Sequence, residues 1–450
     1  MLTRLKNVDT IVSCDRSDTV YRHTDLWFEN GEIVKIGSFD RVPDADYDCS
    51  GMIVYPGLIN VHHHLYQYFT RNLRKVQDYE LFDWLKALYG VWKNLNEDTV
   101  LLSSLAGMAE LMRYGCTTCF DHHYVFPRGA GDLLAAQFHA AETLGIRMHA
   151  SRGSMDLSEK DGGLPPDSVV QTIDEILTDS ENAIKRYHDN SRFSMRRVVL
   201  APCSPFSASP ELYRESAELA RKYGVQLHTH LCETKDEEAY TLVVFRKRPF
   251  DHIASLGWTG PDVFYAHGIH FNDAELDEIA LTGTKIAHCP VSNMKLSSGV
   301  MRLPDMLNRG ITVGLAVDGS ASNDGSNLMD EMRAAYLVHR LTWGKRAPSG
   351  YKILKLATAH SAGVLGRDDI GSIEEGKSAD VFAIRTDTTD LLCAIEDPMD
   401  LFGSVGYHRP CDLVFVNGKL TVRDGEIVGF DEQKILRASQ DELRRFLSDL

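Results

Sequence analysis

Histidines and carboxylates recur along this chain at one kind of place, the end of a short apolar run. Val61-His62-His63-His64 closes one such run. Alternate side chains of an extended segment share a face, so His62 and His64 point one way and His63 the other. His228-Thr229-His230 closes a second run and is followed by Glu233. Ala266-His267, Ala287-His288 and Val317-Asp318-Gly319 close three more. Any one of these histidines read alone is an ordinary core residue. A histidine pair, a histidine three residues before a glutamate, another histidine and an aspartate, in that order at run ends, point instead to a metal centre. Neutral imidazole nitrogens with one carboxylate suit zinc or iron(II) better than magnesium. A divalent ion so held brings the pKa of a water to roughly 7, which makes hydrolysis accessible near neutrality. His63 is assigned a packing or supporting role and His228 a deeper layer. The roles of His122, His123 and His288 are left open. No H-E-x-x-H, G-x-x-x-x-G-K-[ST] or G-x-S-x-G motif occurs, and Ala201-Pro202-Cys203-Ser204-Pro205 lacks the second cysteine of a P-C-x-x-C zinc site.

The runs that carry these residues are β-branched and regularly spaced. Eight strands are expected: Met52–Val61, Cys116–His122, Ile146–Ser151, Val198–Ser204, Val225–Leu231, Val263–Gly268, Lys285–Val291 and Thr312–Gly319. Helical patterns intervene, among them Asp98–Tyr114, Glu211–Tyr223 and Asp273–Leu281. Eight strands alternating with helices predict an α/β fold, a closed (β/α)8 barrel of the TIM type over residues 56–370. Barrel enzymes keep their chemistry at the strands' C-terminal ends, which is where these residues fall. The two chain ends share another style, short strands broken by Asn30-Gly31 and Asn417-Gly418. Residues 1–55 and 371–430 are therefore expected to build one small β-sandwich, with an amphipathic helix over 431–450. The stretch Met155–Asp167, rich in Gly and Pro, is the candidate lid.

Composition narrows the partners. Hydrophobic residues make up 43% of the 450, an ordinary globular share, and the formal charge is −16. Such a chain repels phosphate backbones, so neither nucleic acid nor an anionic membrane is an expected partner. No apolar run approaches the ~20 residues of a membrane span, and residues 1–15 lack a signal peptide's apolar stretch. Nine cysteines without a dense framework read as thiols of a cytoplasmic protein, Cys116 and Cys119 included.

The stretch Pro56-Gly57-Leu58-Ile59-Asn60-Val61-His62-His63-His64, together with His228-Thr-His230-x-x-Glu233, His267, His288-Cys-Pro-x-Ser292-Asn293 and Asp318, resembles the amidohydrolase superfamily, in its cytosine-deaminase-related branch. Gly376-Lys377-Ser378-Ala379-Asp380 extends the resemblance into the β domain. Longer stretches are most similar to the 8-oxoguanine deaminases: His64-Leu-Tyr-Gln67, Leu81-Phe-x-Trp84-Leu85, Gly162-Gly-Leu-Pro-Pro-Asp-Ser-Val169, Ala201-Pro-Cys-Ser-Pro-Phe206 and Val317-Asp-Gly-Ser-Ala-Ser-Asn-Asp324. Two stretches depart from that pattern, Arg74-Lys75-Val76 and the doubled histidine of Asp121-His122-His123-Tyr124. If either lines the pocket, the substrate is a relative of 8-oxoguanine.

The resemblance implies His62, His64, His230 and Asp318 as ligands of one divalent metal, zinc first and iron second. The fourth strand, Val198–Cys203, carries no lysine to bridge a second ion. It further implies three catalytic groups. Asp318 accepts a proton from the attacking water, Glu233 shuttles a proton to a ring nitrogen, and His267 hydrogen-bonds the attacking oxygen. The implied reaction is hydrolytic deamination of a purine-like free base, 8-oxoguanine to urate and ammonia. The alternatives are isoxanthopterin or another pterin, guanine, or an aminated or chlorinated s-triazine. A barrel that has lost catalysis and serves assembly is the remote one. Candidate substrate contacts besides Glu233 are Gln67, whose amide matches a lactam edge, Tyr124, which can stack, and Arg152, which can meet a carbonyl. Tyr66, Trp84, Trp92 and Phe126 read mainly as packing residues. The family tendency implies a homo-oligomer.

Overall fold

A computed structural model describes residues 1–448 of the chain, so the last two residues of the expected terminal helix lie outside the described part. Eight parallel strands follow one another around a barrel: β1 (Leu58–Asn60), β2 (Cys116–Asp121), β3 (Arg147–Ser154), β4 (Arg196–Pro202), β5 (Leu227–Leu231), β6 (Val263–His267), β7 (Lys285–His288) and β8 (Val313–Leu315). Helices intervene, including Glu97–Arg113, Pro210–Tyr223 and Asp273–Thr282. Closure between β8 and β1 is made just beyond the strands. Val61 N–H donates to Leu315 O at 3.4 Å, and Asp318 N–H to His62 O at 3.1 Å. His63–His64 then pairs with Asp318–Gly319 as a short parallel ladder.

Three expected strands end differently, each for a local reason. Met52–Val61 is not one strand. Met52–Pro56 pairs with Val381–Arg385 outside the barrel, and only Leu58–Asn60 enters it. The break falls at Gly57, whose N–H bonds Asp380 O at 2.8 Å. A Cβ at Gly57 would lie 2.2 Å from Thr117 Oγ1, so only glycine passes this crossing. Both pieces are fully buried, and an apolar run looks the same in either sheet. Lys285–Val291 stops at His288, because Pro290 opens the helix Pro290–Lys295, a position that proline's missing N–H suits. Thr312–Gly319 divides into β8 and the Asp318–Gly319 ladder.

Both chain ends contribute to one nine-stranded sheet outside the barrel. Its strand Leu2–Val12 pairs with Val20–Glu29 on one side and with Met52–Pro56 on the other. From Met52–Pro56 the sheet runs through Val381–Arg385 to Leu413–Val416. Phe28 and Phe415 lie four strand spacings apart in that order, roughly 19 Å if the sheet were flat. Their ring centroids are 5.2 Å apart. The sheet is therefore folded over on itself as a sandwich, around Leu5, Val8, Ile11, Leu26, Phe28 and Phe415.

One buried ion pair ties this sheet to the barrel. Arg147 of β3 reaches Asp380, and it also bonds Ser378 Oγ at 3.2 Å and Ser194 O at 3.1 Å. Both charges are buried. Removing one partner of such a pair leaves the other uncompensated in a low-dielectric interior. Arg147→Leu is expected to destabilise the protein by about 3–5 kcal/mol. A lowered denaturation midpoint checks this, and an unchanged midpoint would show that the pair does not hold the two parts together.

Candidate active site

The barrel's closure puts the ends of β1 and β8 side by side. His62 Nε2 and His64 Nε2 each lie 3.3 Å from Asp318 Oδ1, and His64 Nε2 lies 3.1 Å from His230 Nε2 at the end of β5. The nitrogens are aimed by their other ring atoms. His64 Nδ1–H donates to His122 O and His230 Nδ1–H to Cys203 O, both at 2.7 Å. His228 Nδ1–H donates to Phe264 O at 2.9 Å, which leaves His228 Nε2 to accept from His62 Nδ1–H at 2.9 Å. His228, placed at sequence level only in a deeper layer, is thus the residue that orients His62. In each case the outward bond fixes the tautomer and turns an Nε2 lone pair inward.

Burial decides the charges. It pushes His62 down to about 4, and burial followed by the neighbouring imidazoles pushes His230 well below the usual histidine range. Burial alone would raise Asp318. Close contact with the His62 and His64 rings outweighs it and holds the carboxyl well below the usual carboxylate range. Three inward imidazole nitrogens and a carboxylate make a donor set that fits zinc or iron(II). The buried Nε2 of His62 makes no hydrogen bond of its own, as an atom reserved for a ligand would.

Glu233 follows β5 and faces the same centre with the opposite proton state. Burial, then the charges of Asp318 and Glu237, push its carboxyl well above the usual range. Its Oε2 lies 3.4 Å from His267 Nε2 and its Oε1 accepts from Ser298 Oγ at 3.3 Å. Asn293 Nδ2 donates to His267 Nδ1 at 2.9 Å, so the proton of the neutral ring sits on Nε2 and points into the site. Burial pushes His267 down to about 3, so that ring is neutral. His267 and Asp318 both sit at left-handed backbone angles, φ 72° and 63°. Such strain in a residue with a side chain persists where surrounding structure enforces it, commonly at a working site.

These groups face one narrow pocket. Gln67 lines it. Both of its amide atoms are buried without a partner, a donor and an acceptor held ready. Gly319 makes room for it: a Cβ there would lie 1.9 Å from Gln67 Oε1. Tyr124 also lines the pocket, its ring edge-on to His64 with centroids 5.0 Å apart. Arg152 does not reach the pocket, which corrects its expected substrate role. Its guanidinium is committed to Asp179 and Gln171 and lies 3.8 Å over the Phe126 ring. The Met155–Asp167 loop contributes no lining residue either. It is bound behind the wall, with Leu164 N–H on Phe206 O at 3.1 Å. The roof is the helix Leu81–Trp92, which presents Leu81, Trp84 and Leu85. Their i, i+3, i+4 spacing was a readable signal of one shared face. Trp84 Nε1 is buried and unpartnered at that face.

The remaining histidines have structural partners. His63 Nε2 bonds Ser326 Oγ at 3.0 Å, His123 Nε2 bonds Val125 O at 2.9 Å, and His288 pairs with His339 at 2.9 Å. His122 donates from Nε2 to Ala201 O at 3.1 Å, and its ring stacks on His230 at 4.7 Å. His62, His64, His122 and His230 together form a buried cluster able to hold a metal ion.

The chain and its fold match known proteins. The model of the amidohydrolase family matches residues 53–422. The chain belongs to that family and is a hydrolase. It is 43% identical over 410 residues to an 8-oxoguanine deaminase of Pseudomonas aeruginosa, covering 90% of this chain and 91% of the relative. It is 39% identical to a hydroxydechloroatrazine ethylaminohydrolase of Pseudomonas sp. strain ADP, covering 97% and 94%. The crystal structure of the atrazine chlorohydrolase TrzN from Arthrobacter aurescens TC1 complexed with zinc superposes with a TM-score of 0.94, at 31% identity over 98% of this chain and 100% of that one.

Loss of an outer partner of a ligating histidine typically weakens metal binding by about 10–100-fold. His228→Phe, which keeps the ring's packing against Phe264 but not its acceptor, is expected to do so. Chelator competition measures it. Unchanged affinity would remove His228 from the support of His62.

Proposed function

We propose that this enzyme deaminates 8-oxoguanine, consuming water and releasing urate and ammonia. The observation that carries the reading is the pair of carboxyl groups over one pocket, Asp318 against His62 and His64 and Glu233 between His267 and Ser298. Hydrolytic deamination needs both a proton acceptor and a proton donor at one carbon. The substrate assignment is supported by the 43% identity to an 8-oxoguanine deaminase and by the unpaired Gln67 amide, which complements a lactam edge. The apolar roof of Leu81, Trp84 and Leu85 suits a planar free base. A cytoplasmic setting is supported by nine cysteines that are all free thiols.

His62, His64, His230 and Asp318 would hold a single metal ion, zinc in this reading, and the absence of a lysine on β4 favours one ion over two. Bound there, the ion supplies Lewis acidity that makes a water acidic near neutrality. Asp318 takes the proton of the attacking water. Glu233 gives its proton to the ring nitrogen beside the carbon under attack, which prevents negative charge from building on the ring. His267 donates from Nε2 to the attacking oxygen and steadies it as the tetrahedral centre forms. Asp318 gives the proton it took to the departing amino group, which leaves as ammonia, and the proton left on the attacking oxygen returns to Glu233 as the carbonyl forms. The buried surroundings keep these donors from being screened by water.

A second reading, hydrolysis of an s-triazine substituent, rests on the 39% identity to the ethylaminohydrolase and on the superposition with the atrazine chlorohydrolase. The same residues serve both, because each reaction replaces a substituent on an electron-poor ring carbon with oxygen. Leaving-group release measured in parallel, ammonia from 8-oxoguanine, guanine and pterins and an alkylamine or chloride from substituted triazines, separates them by kcat/KM.

Glu233→Gln is expected to lower kcat on 8-oxoguanine by about 10²–10⁴-fold with metal content unchanged. Near-normal turnover would end the assignment of Glu233. Because Glu233 must carry its proton, kcat should fall as pH rises through its raised pKa. Removal of metal by chelation should abolish ammonia release, and zinc should restore it.

A further inference from the structure

Glu237 is buried, carries no substrate-facing atom and belongs to none of the groups assigned above. Its carboxylate is nonetheless spent on the chain segment that delivers Glu233. One oxygen accepts the backbone N–H of Cys232 at 3.0 Å, and the other accepts the backbone N–H of Glu233 at 2.8 Å. Glu237 is itself held at the start of the helix Lys235–Val244, where its N–H donates to Thr234 Oγ1 at 3.3 Å.

The segment so held is strained. Cys232 sits at φ 53°, a left-handed angle that a residue with a side chain adopts only where surrounding structure enforces it. The bend at Cys232 turns the chain out of β5 and points Glu233 back over the barrel mouth. The same turn is laced to the turn after β6. Gly268 N–H donates to Leu231 O, and His270 N–H donates to Cys232 O, both at 3.0 Å. The proton donor Glu233 and the hydrogen-bond donor His267 therefore stand on two adjoining left-handed turns. Without the Glu237 carboxylate, two buried N–H groups of the first turn would lose their acceptors.

We propose that Glu237 is a positioning residue for Glu233: by accepting both N–H groups of the Cys232–Glu233 turn, it fixes the bend that places the Glu233 carboxyl between His267 and Ser298. This rests on the reading of Glu233 as the proton shuttle. Glutamine at 237 can satisfy only one of the two N–H groups, because its NH2 faces the other. Aspartate keeps the charge but is one methylene too short to reach both. A misplacement of about 1 Å can cost on the order of 100-fold in turnover.

The test measures kcat, KM and metal content for Glu237→Gln and Glu237→Asp, each also in a Glu233→Gln background. Both single variants are expected to lose on the order of 10- to 100-fold in kcat, with KM within about twofold and metal content unchanged. In the Glu233→Gln background the same changes should cost no more than about twofold, because the group they position is already gone. An equal loss in both backgrounds would overturn the proposal, since damage to the site at large does not depend on Glu233. Normal kcat in Glu237→Asp beside a loss in Glu237→Gln would overturn it too, in favour of a charge effect. If Glu237→Gln does not fold, Glu237→Asp carries the reading. Glu233→Gln with near-normal turnover is a failure of the proton-shuttle reading. An inactive Glu233→Gln beside fully active Glu237 variants is a failure of this inference alone.

Discussion

The main-chain bonds that close the barrel between β8 and β1 are the constraint on which the site depends. They set Asp318 opposite His62 and His63, so its carboxylate meets His62 and His64 at the same distance. Asp318 takes its left-handed angle where it enters the ladder with His63–His64. The other contributors arrive by strand order. β5 brings His230 and Glu233, β6 brings His267, and the helix after β7 brings Asn293 to fix the His267 tautomer.

One physical effect, desolvation, then gives neighbouring groups different charges. It neutralises the imidazoles, whose protonated forms have no water to stabilise them. It keeps Glu233 protonated, because that carboxyl has only a serine hydroxyl and a neutral histidine for partners. It fails to protonate Asp318, because close contact with the His62 and His64 rings outweighs it. Two carboxyl groups within one pocket thus hold opposite proton states, the separation that acid–base chemistry at neutral pH requires. The polar atoms left without partners on Gln67 and Trp84 belong to residues that line the same pocket.

The barrel, the order of its strands and the residues at their ends were legible because each is a local pattern. Period-two alternation separates His62 and His64 from His63 whatever the rest of the chain does. Local patterns misplaced what depends on distant partners. Arg152 has the right type and position for a substrate contact, but Asp179, 27 residues on, takes its guanidinium. The Met155–Asp167 stretch reads as a lid from its Gly and Pro content, yet the roof is the amphipathic helix Leu81–Trp92. Met52–Val61 reads as one strand because both halves are apolar, but the halves pair in different sheets, and the crossing between them at Gly57 leaves no room for a side chain beside Thr117.

The sequence by itself determined the chemical inventory: imidazoles, an acid and a carboxylate at strand ends, in an order that only a closed parallel barrel brings together. Those features are set by residue type and spacing, which are properties of a few consecutive residues. Only the tertiary structure decided which nitrogen of each histidine points inward, which carboxyl keeps its proton, and which glutamate holds the turn beneath another. Tautomer, protonation and strain are fixed by hydrogen-bond partners and by the exclusion of water. Both are supplied by segments far apart in the chain, as when Phe264 orients His228, which orients His62.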